Sequence, residues 1–368
     1  MKNFDLGELL KGCVPVKDEK GNIVIQSILN MQVVCLTTED EYSMDDKFAD
    51  PLKTVKASNN SYGEITFNNR SSKDVITLPH TAILTKQRAQ NHGMTKAGYV
   101  PKHKTVRFED AGCVQGSQGG YFSSIGGDEF RVMPVTIREM LFNTMGSGIG
   151  DYSTIYSAIR KLGNQTNSNT GEYLNKYFEK YDSKLEQFIA HFERPEKLIG
   201  TIVFVDGEIV AIDKYPSFTY AEQVWDVMIR DCYGALAIVS ELKDKKGEQL
   251  FTKTFDKLSS KSHEENVVDL IEKALKKTKK KMSKSITDRI NEIMDVTFEA
   301  ELDTVGNPNS GSIKSYKIDS EGYIGQVITE SDFHYLVSLV KKESFNPDAL
   351  RVVTELKKKA NTQNRFKL

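Results

Sequence analysis

Five side-chain amides, Gln87, Gln90, Asn91, Gln115 and Gln118, sit toward the two ends of one polar stretch that closes on Gly119 and Gly120. An amide hydrogen-bonds both donors and acceptors without altering its partner's protonation, so this set suits a base, a ribose or a carboxamide. Gly116, Gly119 and Gly120 could turn backbone N–H groups toward a phosphate. The same residues also suit a plainer role, in which amides satisfy buried backbone groups at irregular loops and glycines permit turns. Both readings stand at this level. The ligand-binding candidates are Gln90, Asn91, Cys113, Gln115 and Gly116.

Nucleophilic chemistry in the same stretch would need Cys113, with His92 or His103 as base. Cys113 follows Ala111 and Gly112 at what reads as a strand end, so a buried, inert thiol competes with a reactive one. No complete catalytic signature occurs, and no catalytic residue is assigned. The four cysteines are scattered and form no zinc-type cluster. The six carboxylates between Thr38 and Lys53 lack the glycine and terminal glutamate of a calcium loop. No metal and no cofactor is expected.

The elements that would position these residues are mostly strands. Ile23 to Ile28, Met31 to Thr37, Tyr62 to Asn68, Asp74 to Leu78, Ala82 to Leu84, Gly98 to Val100 and Lys104 to Phe108 have strand character between turn residues. Helical spacing begins after Pro134 and continues in YSTIYSAIRKL, which should stop at Gly163 before an exposed linker, NQTNSNTG. Tyr173, Tyr177, Phe178, Tyr181, Leu185, Phe188 and Phe192 form one aromatic helix face, read as core. Leu198 to Asp213 is two alternating apolar runs around Asp206-Gly207, the pattern of a buried hairpin, with Ile202, Phe204, Ile209 and Ile212 facing the core. A helix carrying the single tryptophan, Trp225, follows to about Ser240.

Beyond residue 240 the chain becomes lysine-rich. The run Lys273–Ser285 has no acidic residue, and a solvated helix face or linker is preferred there to contact with nucleic acid. Val296 to Leu302, Ile313 to Ile318 and Tyr323 to Ile328 read as strands, and Ser331 to Lys342 and Pro347 to Ala360 as helices. The expected fold class is α+β: a largely antiparallel β region with packed helices in residues 1–240, then a lysine-rich helical extension with a small hairpin in 241–368. Lysine plus arginine (50) balances aspartate plus glutamate (51), so overall charge calls for neither a nucleic-acid nor a membrane partner. No apolar run reaches the roughly 18 residues of a membrane span, and a cytoplasmic protein, or a virion component if the source is viral, is expected.

The run from Phe67 to Gly116 resembles the core of the ADP-ribosylglycohydrolase and rhodanese-phosphatase associated protein family. The matching places are the polar turn Asn69 to Val75, the step Gln90-Asn91, the strand Tyr99-Val100-Pro101-Lys102 and the segment Cys113-Val114-Gln115-Gly116. LIGTIVFVDGEIVAIDKYPSF and the helix AEQVWDVMIRDCYGALA are similar to the family's later hairpin and closing helix, so the resemblance covers residues 23–240. It implies a setting in NAD and ADP-ribose metabolism and biological conflict, such as that between phage and host, with no established reaction. The family's glutamate in the cysteine segment is replaced by Gln115, which favours ligand binding over catalysis. Three functions follow: a binding protein for a nucleotide-derived ligand, an enzyme acting on one, or an assembly protein that contacts partners or itself, such as a viral particle component.

Overall fold

The computed structural model describes residues 2–38, 47–117, 119–145, 152–243, 285–303 and 311–343. The chain opens with β1 (Lys2–Asp5), helix α1 (Leu6–Leu9), β2 (Cys13–Pro15), β3 (Gln26–Ile28) and β4 (Met31–Thr38). Nine short strands follow: β5 (Val55–Ser58), β6 (Ile65–Asn69), β7 (Val75–Ile76), β8 (Thr81–Ile83), β9 (His92–Met94), β10 (Tyr99–Val100), β11 (Thr105–Phe108), β12 (Ala111–Cys113) and β13 (Phe130–Val132). Helices α2 (Arg138–Thr144), α3 (Tyr152–Thr166) and α4 (Asn175–Ile189) lead to the hairpin β14 (Leu198–Val205) and β15 (Glu208–Lys214), then α5 (Phe218–Val227). After helix Ile286–Met294 come β16 (Thr297–Leu302), β17 (Ile313–Asp319), β18 (Tyr323–Glu330) and β19 (Phe333–Lys341).

One sheet of ten strands organises the molecule, in the order β1-β16-β17-β18-β19-β15-β14-β4-β2, with β3 also pairing β4. Its neighbours are antiparallel throughout, and strands from both sides of residue 240 share it. Side chains alternate between two cores, as the two-residue period of a strand requires. Ile202, Phe204, Ile209 and Ile212 face the smaller core with Leu6, Leu9, Ile290 and Ile293. Val203, Ala211 and Val340 face the larger one, against α2 to α5. The short strands form separate small sheets with a third core around Phe67, Phe108 and Phe130.

The α+β class with antiparallel sheets and packed helices is therefore what the structure has. The hairpin is also as expected: Asp206 (φ 53°) and Gly207 (φ 77°) both take the left-handed conformation of the tight two-residue turn. A Cβ on Gly207 would meet nothing within 4 Å, so any penalty at this site comes from the backbone alone. Gly207→Val should lower stability by about 1–3 kcal/mol, because a β-branched residue resists positive φ. Gly207→Asn should cost less, and equal melting temperatures for the two variants would contradict this account.

Two expectations need correction. Ser331 to Lys342 is a strand, β19, with its interior buried and with β18 and β15 on its two sides. A strand covered on both faces reads as a continuous apolar run, and HYLVSLV has no period that tells it from a buried helix. The expected linker after Gly163 is a packed return, because α3 runs on to Thr166 and Thr166, Ser168 and Thr170 are buried. Their hydroxyls find partners inside: Thr166 donates to Leu162 O (2.7 Å), Thr170 donates to Ile159 O (2.9 Å), and Ser168 pairs with Thr166. Half of the acidic segment, nearly all of the lysine run and Pro347 to Ala360 lie outside the described residues.

Glu330, at the end of β18, receives hydrogen bonds from Lys47, Ser312 and Tyr335, which hold its carboxyl down at about 2 from an ordinary 4.5. A depressed folded value contributes stability that is present above the unfolded value and lost as pH falls through the folded one. The melting temperature of the wild type should therefore exceed that of Glu330→Gln above about pH 4.5, and the gap should close toward pH 2. A gap that does not change across this window would rule out the ion pair as its source.

Candidate functional site

Strands β9 and β12 pair with His92 opposite Cys113, which brings the two halves of the amide-rich stretch together. Gln90 donates from Nε2 to Gln115 O (2.9 Å), and the Gln115 side-chain oxygen accepts from Asn91 N (3.3 Å). Asn91 Oδ1 accepts from Thr85 N (2.9 Å), and Gln115 Nε2 donates to Ser117 (2.7 Å). These amides thus staple the segments before β9 and after β12, while Gln90 Oε1 is buried with no hydrogen-bond partner among the described residues. Gly119 is required by this closeness, since a Cβ there would lie 2.6 Å from Gln90 N. Gly116 packs against Glu172, and Gln118 lies outside the described residues.

Cys113 Sγ lies 3.7 Å from His92 Nε2, and His92 Nδ1 lies 2.9 Å from Gln90 O. Only a protonated Nδ1 satisfies that carbonyl, so Nε2 is left as an acceptor, with the Cys113 thiol and Asn59 Nδ2 (3.5 Å) both within reach of it. Burial raises the Cys113 thiol to about 11 and lowers His92. Both shifts favour a neutral thiol beside a neutral imidazole over a thiolate–imidazolium pair. His103 is exposed in the turn before β11.

Beside this cluster lies a cleft of about 900 Å³, bounded by α4, β13, the segment from Leu84 to Asn91 and the end of α5. Asn91 is the one amide-cluster candidate on its wall. The dominant feature is a pair of guanidiniums held by one buried carboxylate. Asp231, with a side chain 0% exposed, accepts from Arg131 Nε and Nη2 (2.8 Å each) and from Arg230 Nε (2.7 Å). Val132 N adds a bond at 3.2 Å. Arg131 also stacks over the Phe178 ring at 4.1 Å from its centroid. Burial opposes the charge on both arginines, but Asp231 outweighs it, and both stay firmly protonated.

On the cleft side, Asp182 bonds Arg131 and Glu186 bonds Arg230, each at 2.7 Å and each with a side chain 54% exposed. The two kinds of pair differ in strength. An exposed pair is worth about 0–1 kcal/mol, whereas removing one partner of a buried pair costs about 3–5 kcal/mol. The arginines are thus held mainly by Asp231, and the two exposed acids contribute less.

Arg131, Phe178, Arg230 and Asp231 were not legible as a site in the sequence, because 100 positions separate Arg131 from Asp231. One signal was available. Arg230-Asp231 interrupts an otherwise apolar helical run, and the backbone widens there into a π-turn, Met228–Tyr233, before residues 234–243 return to α-helix. Such wide turns often mark functional positions.

Two further buried ionic groups hold the scaffold. Arg138, 0% exposed, bonds both oxygens of Asp213 and the hydroxyl of Ser338, tying α2 to β15 and β19. Lys96, also 0% exposed, lies 2.7 Å from Asp110 and 2.7 Å from Asp303. Among the described residues no three His, Cys, Asp or Glu side chains are grouped to hold a metal ion, and no helix is long and apolar enough to cross a membrane.

The family model for the ARG and Rhodanese-Phosphatase-superfamily-associated Protein domain, ARPP-1, matches residues 23–332, which runs past the later hairpin and through β16 to β18. No curated protein and no solved structure matches the chain.

Proposed function

Since the chain belongs to the ARPP-1 family, whose description ties it to ADP-ribosylglycohydrolases, we propose that the cleft between α4 and β13 binds a nucleotide-derived small molecule of the ADP-ribose class. The observation that carries this reading is the guanidinium pair on Asp231, set beside the Phe178 ring in a cleft of about 900 Å³. Ligand pockets of roughly 300–1,000 Å³ take molecules of this size. Cations for phosphates and an aromatic surface for a base are the chemistry such a ligand demands.

The amide cluster has a supporting part in this reading. Gln90, Gln115 and Gly116, with Cys113 beneath them, hold the wall on which Asn91 sits, and Asn91 meets the ligand. Binding without turnover is favoured because the Cys113 thiol is buried and protonated and the amide groups are largely engaged within the protein.

Thermal unfolding in the presence of ADP-ribose, NAD and adenosine tests the proposal. A ligand at about 100 times its Kd should add about 2.7 kcal/mol to stability. ADP-ribose or NAD should raise the melting temperature and be recovered unchanged. Absence of any shift would overturn the binding reading, and conversion of the ligand would replace it with an enzyme.

A further inference from the structure

We propose that the group recognised in this cleft is a diphosphate, and that Asp182 and Glu186 occupy its place in the free protein. This rests on the cleft being a ligand site, and it names which part of the ligand the protein reads. Asp182 and Glu186 stand four residues apart on α4, so they project from one helix face toward the cleft. Their carboxylates reach Arg131 Nη2 and Arg230 Nη1 at 2.7 Å each. The two guanidiniums share Asp231 Oδ1 and therefore lie side by side, each carrying one exposed carboxylate.

The donors are not exhausted by these acids. Arg131 Nη1 and Arg230 Nη2 have no acceptor among the described residues. An incoming diphosphate can therefore gain bonds that the carboxylates do not make, while Asp231 keeps both guanidiniums in place from behind. Lys53 and Lys86 on the cleft wall are matched by Asp128 and Glu179, so the guanidinium pair is what draws an anion to one place in it. A neutral nucleoside would leave the exposed acids where they are, so the ligand's anionic link decides affinity. The acids also set a threshold, because they reject any molecule too weakly anionic to displace them.

The test is a calorimetric titration of the full chain with inorganic pyrophosphate, inorganic phosphate, ADP-ribose and adenosine. Asp182→Asn/Glu186→Gln removes the placeholders, and Arg230→Gln removes one guanidinium while Arg131 still neutralises Asp231, so the fold is kept. Pyrophosphate and ADP-ribose should bind the wild type more tightly than phosphate or adenosine. The double variant should bind pyrophosphate more tightly, by roughly fivefold for each acid removed, and Arg230→Gln should bind it more weakly. If ADP-ribose and adenosine bind equally well and neither variant changes the pyrophosphate affinity, the diphosphate assignment fails while the cleft reading survives. If no probe binds any form, both fail together.

Discussion

Lys96→Met should destabilise the protein by about 3–5 kcal/mol at neutral pH, the cost of leaving buried charge without its partner. Lys96 is 0% exposed and stands between Asp110 and Asp303, whose side chains are each 1% exposed. Without the ammonium the two carboxylates face each other in a dry site, and one must take up a proton. Asp110 is already raised in the wild type because burial disfavours its charge, with Lys96 working against that rise. A carboxyl raised in the folded state binds more protons folded than unfolded, so the variant's stability should recover as pH is lowered. The partner variant Lys96→Met/Asp110→Asn/Asp303→Asn should regain most of the loss at neutral pH. Denaturant unfolding checks both points. A loss in Lys96→Met that does not depend on pH, or no recovery in the triple variant, would mean that packing matters here more than charge.

Asp231→Asn should act on stability and on ligand together. The neutral amide leaves Arg131 and Arg230 repelling each other where one carboxylate had joined them, and the network should lose about 3 kcal/mol, the low end for a buried partner because both arginines are partly exposed. The guanidiniums would also lose their fixed spacing, so ADP-ribose should bind about tenfold more weakly, equivalent to about 1.4 kcal/mol. Asp182→Asn offers the contrast. Its side chain is 54% exposed, and its removal should change stability by no more than about 1 kcal/mol. A folded Asp231→Asn protein that keeps the wild-type affinity would separate Asp231 from the ligand site.

What the sequence made legible follows from where its physical signals are local. Asp206-Gly207 between alternating apolar runs defines the hairpin because turn type and strand period act over a few residues. The aromatic face of α4 was legible as core for the same reason, and Tyr177, Leu185 and Phe188 are buried. Phe178 has a second role that periodicity cannot express, since its ring edges the cleft beneath Arg131. β19 was misread because a strand buried on both faces has lost the alternation that identifies it. Gln90, Asn91, Cys113 and Gln115 were found as neighbours from their chemistry, but much of that chemistry is turned toward one another. The guanidinium pair was out of reach, because it is assembled from β13 and the π-turn, elements that only the folded chain brings together.

The measurement that bears most directly on the account is amide hydrogen exchange with and without ADP-ribose, because slowed exchange maps where a ligand suppresses local opening. Protection is expected in α4 from Asn175 to Glu186, in the turn from Val227 to Asp231 and around Asn91, which together line or support the cleft. Protection confined to the segments around Gln90 and Gln115, with α4 and the π-turn unchanged, would move the site into the amide cluster. Exchange that is unchanged everywhere at saturating ADP-ribose would contradict the claim that this cleft binds such a ligand.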